Sequence, residues 1–406
     1  MRILRCHLAI VLSLFFVSAT YGINPKRAWT FLVYMAADNS LSPDADPNIA
    51  QMVKASASSN VYILVYLNIK RTGETKKTQK LIIQNGTITQ EGATTVEDSG
   101  NENTLIKALS WAVTEFPSDH LLVDLWDHGS GSLNRSAMQH RGVCYDDTYN
   151  TYLTDIKYKN AFDVLVNQYL HGKKIDIIAF DACLMADIEV AYTLQPYANY
   201  MVASQQTVPG PGYNYTEVLS LFAQQTPDAL TLAHWMVTSY DHYYKPSGQS
   251  YTLSVTDLNA LSAAVSATNN IAQLLNASLA ADSTGAVSQV ITASANPSNC
   301  AHFDEPTYLD LYTFYANLYA NLAQMGLSST SASQLKAALR KGLAAISHCI
   351  MANAHSNSDF ANVHGMSIYF ADPSVGVEPS YNALYWTSAN PQWASFLTEY
   401  VNAANS

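Results

Sequence analysis

Two apolar runs of the sequence each lead into a residue that could do chemistry. The run Leu121–Trp126 is followed by His128, and the run Ile175–Phe180 is followed by Cys183. Both runs have the composition of buried strands, and the separation of 55 positions from His128 to Cys183 leaves room for a crossover helix. The strands could therefore be parallel neighbours. A thiol and an imidazole at adjacent strand ends could cleave a peptide bond, because a thiolate attacks the carbonyl carbon and an imidazolium protonates the leaving amine.

The main chain around this pair suits the same chemistry. Cys183 stands just before a predicted helix over 184–194, whose N-terminal dipole would favour the thiolate. The N–H groups of Gly129 and Cys183 could donate to a developing oxyanion, and glycine allows close approach of a substrate. A cysteine or a histidine alone at a strand end is more often structural. The pair at two successive strand ends favours the chemical interpretation.

Strands and helices alternate through the first half of the chain. Apolar runs predict strands at 30–36, 61–69, 121–126, 175–180 and 200–204, and helical periodicity predicts helices at 103–116, 160–170 and 184–194. Asn103 is the predicted N-cap of the first of these helices. This alternation predicts an α/β fold, a three-layer sandwich with a mostly parallel central sheet and helices on both faces.

The pattern changes beyond about residue 215. The clear strands there are Tyr251–Val255 and Gly365–Phe370, and helical stretches lie near 257–280, 307–326 and 332–350. We therefore predict an α/β domain over 23–245 and a helix-rich C-terminal part over 246–406 that packs on the sheet.

Residues 1–22 have the pattern of a signal peptide. Arg2 and Arg5 precede a short apolar run from Leu8 to Val17, and small residues follow it. The run is too short to cross a bilayer as a helix. We therefore expect a secreted or periplasmic protein that has no membrane association once the signal peptide is removed.

The composition of the 406 residues excludes several classes of protein. Hydrophobic residues make up 48% and charged residues 13%, which excludes a disordered chain. The 21 basic and 32 acidic residues give a formal net charge of −11 without a basic cluster, so we expect no nucleic-acid partner. Four cysteines remain beyond the signal peptide, and a disulfide between Cys300 and Cys349 is one pairing that the sequence allows.

Six strings carry a resemblance to a known family: YMAADNSL, DHGSG, GVCYDDT, FDACLMADIEVAY, ASQQTVPGPGYNY and GMSIYFAD, in this order. With them the sequence resembles the clostripain-family cysteine endopeptidases, which share a clan with caspases, gingipains, legumain and separase. The resemblance runs from about Trp29 to Asp372 and implies a caspase-like α/β sandwich. It implies a dyad in which Cys183 is the nucleophile and His128 the general acid/base, with Gly129 and Cys183 as oxyanion donors.

The resemblance also implies a substrate preference. Family members typically cleave after Arg or Lys, and Asp181 matches by position an acid of their S1 pocket. A buried carboxylate would hold a P1 guanidinium through charge-assisted hydrogen bonds. The alternative is a carboxylate that caps a loop. The segment 204–210 has no acid where relatives often carry one, so a basic preference would depend on Asp181.

The same resemblance implies protein or peptide substrates, and we expect a monomer. No motif requires a cofactor, and we expect no obligatory metal ion. Calcium supports some relatives, and Asp38, Asp146 and Asp147 are the residues that could contribute ligands to it.

Two other functions stay open at this level. The segment HGSGS at 128–132 suggests a serine esterase, but that class needs G-x-S-x-G between a strand and a helix. The nearest strings, Gly365–Tyr369 and Gly248–Thr252, both lack the last glycine. The second alternative is an exported binding protein that keeps a caspase-like fold without activity.

Overall fold

The computed structural model describes residues 24–134, 141–356 and 359–406, so the predicted signal peptide at 1–22 lies outside the described residues. Within these ranges the strands are β1 (Arg27–Ala37), β2 (Val61–Ile69), β3 (Lys77–Gln84), β4 (Thr87–Thr95), β5 (Ser118–Trp126), β6 (Gly129–Asn134), β7 (Arg141–Asp146), β8 (Thr151–Leu153), β9 (Ile175–Asp181), β10 (Ala198–Ala203), β11 (Thr252–Asp257), β12 (Tyr308–Asp310), β13 (Ile350–His355) and β14 (Ser367–Tyr369).

The helices of the same ranges connect these strands and cover both faces of the sheet. They are α1 (Ser42–Lys54), α2 (Glu102–Glu115), α3 (Asp155–Val164), α4 (Ile188–Leu194), α5 (Tyr215–Gln224), α6 (Ala229–Tyr244), α7 (Leu261–Ala281), α8 (Ala286–Ala295), α9 (Leu311–Asn321), α10 (Ser329–Cys349), α11 (Tyr385–Ala389) and α12 (Pro391–Ala404).

One large sheet organises the molecule. Its strand order is β13-β11-β10-β9-β5-β1-β2-β3-β4. The five central strands, β10, β9, β5, β1 and β2, are parallel, and the two outer strands on each side are antiparallel. The prediction of an α/β fold with a mostly parallel central sheet is confirmed.

The central strands are mostly apolar because both faces of the sheet are covered. Successive residues of a strand point to opposite faces. In β1, Leu32 and Tyr34 belong to the core beneath α2, α3 and α4, whereas Phe31 and Val33 belong to the core beneath α1, α5 and α6. Both cores exclude water, so hydrophobic burial fixes the strands that carry the site.

Several predicted elements differ from the structure. The hairpin of β3 and β4 was absent from the prediction, because β4 (TITQEGATT) is polar and exposed along most of its length. Helix α2 is capped by Asn101, whose side chain accepts a hydrogen bond from the Asn103 N–H, so the predicted N-cap was wrong by two residues. The predicted helix at 184–194 begins only at Ile188.

The C-terminal part takes part in the same sheet. Strands β11 and β13 extend it beyond β10, and α7, α9 and α10 pack in the larger core. The division of the chain at residue 245 stays a prediction.

Two further observations concern the cysteines and the helices. No disulfide joins cysteines in the described ranges, and Cys300 and Cys349 are separate buried thiols, so the pairing that the sequence allowed does not form. In the part of the chain that the structure describes, we find no helix whose length and hydrophobicity would let it cross a membrane.

Candidate active site

His128 and Cys183 leave neighbouring parallel strands at the same edge of the sheet. In the pairing of β5 with β9, Trp126 lies opposite Asp181, and the Asp127 N–H donates to the Asp181 carbonyl at 3.2 Å. Each residue of the pair stands two positions beyond these matched strand ends. The register therefore places the two residues side by side at the carboxyl edge of the sheet.

The main chains of Gly129 and Cys183 are in direct contact. A β-carbon at position 129 would lie 2.4 Å from the Cys183 carbonyl oxygen and 3.0 Å from its nitrogen. Both distances are shorter than van der Waals contact, and both neighbours are backbone atoms. Only glycine at 129 therefore allows the segment after His128 to lie against the nucleophile segment.

The Cys183 sulfur accepts a hydrogen bond from the Val208 N–H at 3.3 Å. The side chain is half-buried. The expectation that a helix N-terminus lies at Cys183 was wrong, because α4 begins five residues later and is capped by Asp187, which accepts from the Val190 N–H at 2.6 Å. A main-chain donor on the opposite segment thus takes the place of a helix dipole in stabilising negative charge on the sulfur.

The chain turns sharply directly after the cysteine. Leu184 has φ = +66°, in the left-handed region, and its N–H donates to the Gln206 carbonyl at 3.1 Å. A leucine in this conformation is unusual and is held by the surrounding structure. The turn leaves Cys183 at the surface while Leu184 is buried.

His128 is half-buried and contacts a loop that the sequence analysis did not single out. Its Nε2 atom lies 2.8 Å from the hydroxyl oxygen of Ser40. Its ring also meets Tyr145 edge to face, with 6.3 Å between the ring centroids. Ser40 lies in the string YMAADNSL, but its spacing from His128 along the chain gave no sign of this contact.

The segment opposite Cys183, residues 204–208, is anchored by the C-terminal part of the chain. The Gln205 side chain donates to Asp310 at 3.1 Å and accepts from the Gly365 N–H at 2.9 Å. These three residues are buried, or nearly so, and their bonds join positions that are more than 100 residues apart.

Asp304 anchors the next two residues of the same segment. Its carboxylate accepts from Gln206 Nε2 at 2.8 Å and from the Thr207 hydroxyl at 2.6 Å. Its N–H donates to the Gln206 side-chain oxygen at 2.8 Å. No local pattern of the sequence predicts these partners, because the bonded residues are about 100 positions apart.

Asp181 lies buried below this segment. Its Oδ2 atom accepts from the Tyr213 N–H at 2.9 Å and from the Tyr215 hydroxyl at 2.9 Å. Its Oδ1 atom is also buried and has no hydrogen-bond partner among the residues that the structure describes. Gly212 packs directly on the carboxylate, since a β-carbon there would lie 2.4 Å from Oδ2.

A second buried acid, Asp124, shares a partner with Asp181. The Tyr215 hydroxyl lies 2.7 Å from Asp124 and 2.9 Å from Asp181. It has one proton, so both contacts are hydrogen bonds only when one of the two acids is protonated. Burial raises the pKa of both carboxyl groups, and the charge of Asp181 raises that of Asp124 further. The pair therefore retains a proton more readily than isolated carboxylates do.

The other thiols of the described ranges are poorly suited to nucleophilic attack. Cys144, Cys300 and Cys349 are buried, whereas Cys183 is half-buried. Burial raises the pKa of Cys349 to about 12 and raises those of Cys144 and Cys300 as well. Among the serine candidates, Ser367 is buried on β14, and its hydroxyl donates to the Ala186 carbonyl at 3.2 Å.

Two of the residues named as candidate calcium ligands bind a lysine instead. The Lys76 ammonium donates to Asp38 at 2.8 Å and to Asp146, and all three side chains are buried. The lysine supplies the positive charge between these carboxylates, so we see no preformed calcium site at Asp38 and Asp146.

The comparisons with known proteins agree with this architecture. Residues 33–400 match the clostripain family. Clostripain of Hathewaya histolytica is 29% identical over 130 residues, which span 29% of this chain and 24% of that protein. A secreted C11 cysteine protease of Bacteroides thetaiotaomicron, solved with an irreversible peptide inhibitor, has a TM-score of 0.64 at 20% identity, covering 91% of this chain and 99% of that one.

A second solved structure gives the same result. An inactive zymogen C11 protease of Parabacteroides distasonis has a TM-score of 0.63 at 19% identity, covering 90% of this chain and 99% of that one. These two structures share the fold of this protein, and the family match extends over most of its length. The chain belongs to the clostripain family, as its sequence motifs predicted.

Proposed function

We propose that the protein is an exported cysteine endopeptidase in which Cys183 is the nucleophile and His128 the general acid/base. The observation that carries the proposal is the pairing of β5 with β9, which brings the two residues out of the sheet side by side. Family membership and the N–H donor on the Cys183 sulfur support it. Protein or peptide substrates follow from this activity, and we expect the enzyme to act as a monomer.

The reaction would proceed in two stages. The thiolate of Cys183 attacks the scissile carbonyl carbon, and the N–H groups of Gly129 and Cys183 stabilise the oxyanion. His128 gives a proton to the departing amine, which leaves an acyl-enzyme on the sulfur. The neutral imidazole then takes a proton from water, the resulting hydroxide attacks the thioester, and the cleaved acid departs as the thiolate and the imidazolium re-form.

Active-site labelling tests this assignment against the serine alternative. A peptidyl acyloxymethyl ketone should modify Cys183 stoichiometrically, as peptide mapping would show, and should abolish hydrolysis of a fluorogenic peptide library. A fluorophosphonate should leave both the chain and its activity unchanged. Labelling of a serine would support an esterase, and the absence of any turnover would support the binding-protein alternative.

Gly129→Ala should lower kcat/KM by about 10²–10³-fold, the usual cost of losing an oxyanion donor. The added methyl group would meet the Cys183 main chain at 2.4 Å, so the two segments must separate. Gly210→Ala is the matched control, since nothing lies within 4 Å of a β-carbon there. Peptide hydrolysis and thermal unfolding are measured for both variants, so that a loss of activity can be separated from a general loss of stability. Equal activities would remove Gly129 from the oxyanion site.

We propose Arg or Lys at P1, held by Asp181. The buried Oδ1 atom of Asp181, without a partner among the described residues, supports this proposal because a buried carboxylate favours a charged partner. A P1-scanning peptide library should show Arg and Lys preferred over neutral residues. Since burial raises the pKa of Asp181, the ionised carboxylate gains population as the pH rises, and the preference should grow with it.

Asp181→Asn should remove this preference while keeping an acceptor for the Tyr213 N–H. We expect kcat/KM for Arg peptides to fall by at least about tenfold relative to peptides with a neutral P1 residue, because a charge-assisted hydrogen bond is lost. If the wild type shows no preference for basic P1 residues, the role of Asp181 is wrong and the dyad assignment still stands.

Export is the remaining part of the proposal. The family neighbour from Bacteroides thetaiotaomicron is described as secreted, and residues 1–22 have the pattern of a signal peptide. N-terminal sequencing of the protein outside the cytoplasm should begin after the small residues at 17–19.

A further inference from the structure

We propose that Ser40 is a positioning residue that holds the His128 imidazole through Nε2 and so leaves Nδ1 for the reaction. The inference rests on the proposed function, in which His128 is the general acid/base. Its basis is the distance of 2.8 Å between the Ser40 hydroxyl oxygen and His128 Nε2. A nitrogen held at this distance by a protein hydroxyl keeps its ring in one orientation.

Ser40 and His128 follow two residues that are themselves bonded to each other. Strand β1 pairs with β5, with Met35 opposite Trp126, so the loops after both strands leave the same sheet edge. The Asn39 side chain donates to Asp127 Oδ1 at 2.7 Å. The two loops thus make two successive side-chain contacts. Asn39 contacts Asp127, and the next residue of each loop makes the second contact, between Ser40 and His128.

The loop that carries Ser40 is fixed at its base. Asp38 is buried, and its carboxylate accepts from the Lys76 ammonium at 2.8 Å. The Asp38 carbonyl accepts from the Asp147 N–H at 2.9 Å. The Asn39 side chain also donates to the Tyr145 carbonyl at 3.1 Å. These bonds fix the backbone before Ser40, although the serine itself is exposed.

A hydroxyl suits both protonation states that the reaction requires. In the imidazolium, Nε2–H donates to the Ser40 oxygen while Nδ1–H is available for the leaving amine. After that proton has gone, Nε2–H still donates to Ser40, and the bare Nδ1 can take a proton from water. The Ser40 oxygen can therefore accept from Nε2–H in both protonation states of the ring, while its own proton faces solvent.

Acylation rates distinguish this role from general damage to the fold. The test compares wild type, Ser40→Ala and Ser40→Thr under single-turnover conditions, with a peptide amide and with the 4-nitrophenyl ester of the same peptide. The amide needs a proton on its leaving nitrogen, whereas nitrophenolate leaves without one. In Ser40→Ala we expect acylation by the amide to slow at least about tenfold, because a hydrogen bond to a charged group is lost, and acylation by the ester to change much less.

Two variants serve as controls. Ser40→Thr keeps the hydroxyl and should restore amide acylation. Ser262→Ala should behave as wild type, because it removes an exposed serine that makes a comparable side-chain bond, with Gln195 at 2.7 Å, at another place in the chain. In ¹⁵N spectra of the histidines, the Nε2 resonance of His128 should shift between the wild type and Ser40→Ala, because its hydrogen-bond partner is removed.

The outcomes distinguish a failure of the role of Ser40 from a failure of the Cys183–His128 dyad. Unchanged amide acylation in Ser40→Ala, or an equal loss for amide and ester, would overturn the role of Ser40. Full activity of His128→Ala would instead overturn the dyad itself, whatever Ser40 does. A loss confined to the amide and restored by Ser40→Thr supports the inference.

Discussion

Cys183→Ala should reduce peptide-bond hydrolysis by at least about 10⁴-fold, because the variant has no atom that can form the acyl-enzyme. The variant loses the bond from the Val208 N–H to the sulfur, but the main-chain bonds that place the surrounding segments remain, such as that from the Leu184 N–H to the Gln206 carbonyl. The loss should therefore appear in kcat/KM for fluorogenic peptides without a change in thermal unfolding.

Cys300→Ala provides the matched control for this substitution. It removes a thiol from a buried site, so it tests for the effect of losing a cysteine as such. We expect normal hydrolysis from it, with a modest loss of stability from the smaller side chain. If Cys183→Ala kept the activity of Cys300→Ala, the nucleophile would have to be sought elsewhere.

His128→Ala should lower kcat/KM for peptide amides by about 10²–10⁴-fold, the range that positioned general acid–base catalysis contributes. The thiol of this variant remains, so slow alkylation by iodoacetamide should persist. His242→Ala is the control, since that exposed histidine lies on α6 and pairs with Glu217 at 3.0 Å. Near-normal turnover in His128→Ala would show that another residue transfers the proton.

The central strands and the candidate dyad could be predicted from sequence for one physical reason. A strand buried on both faces needs a nearly continuous apolar run, and the run at 61–69 matches β2 residue for residue. Polar residues that directly follow such runs must leave the sheet at its carboxyl edge. His128 and Cys183 stand out by this rule alone.

Other elements could not be predicted because their stability comes from distant partners. Strand β4 has no apolar pattern and is held by its pairing with β3. The predicted helix after Cys183 failed because residues 184–187 make bonds across the site instead, with Ala186 N–H donating to the Ser204 carbonyl at 2.9 Å. These tertiary hydrogen bonds outweigh the local helix propensity at Leu184.

The same limit applies to the surroundings of the dyad. The N–H group that donates to the Cys183 sulfur belongs to Val208, which is 25 positions further along the chain, and Ser40 is 88 positions from His128. The types of these residues carry no information about the contact. Only the assembly of the folded sheet brings these distant residues into contact.

The anchoring of residues 205–207 has a consequence for when the enzyme could first act. Gln205 needs Asp310 and Gly365, and Gln206 needs Asp304, yet both dyad residues are made within the first half of translation. A ribosome-bound chain that ends before residue 304 lacks these supports of the segment beside the thiol and keeps only the bonds to earlier residues, such as those of Gln205 and Gln206 to Thr252. The order of synthesis itself would thus disfavour premature hydrolysis of the cell's own proteins by unfinished chains.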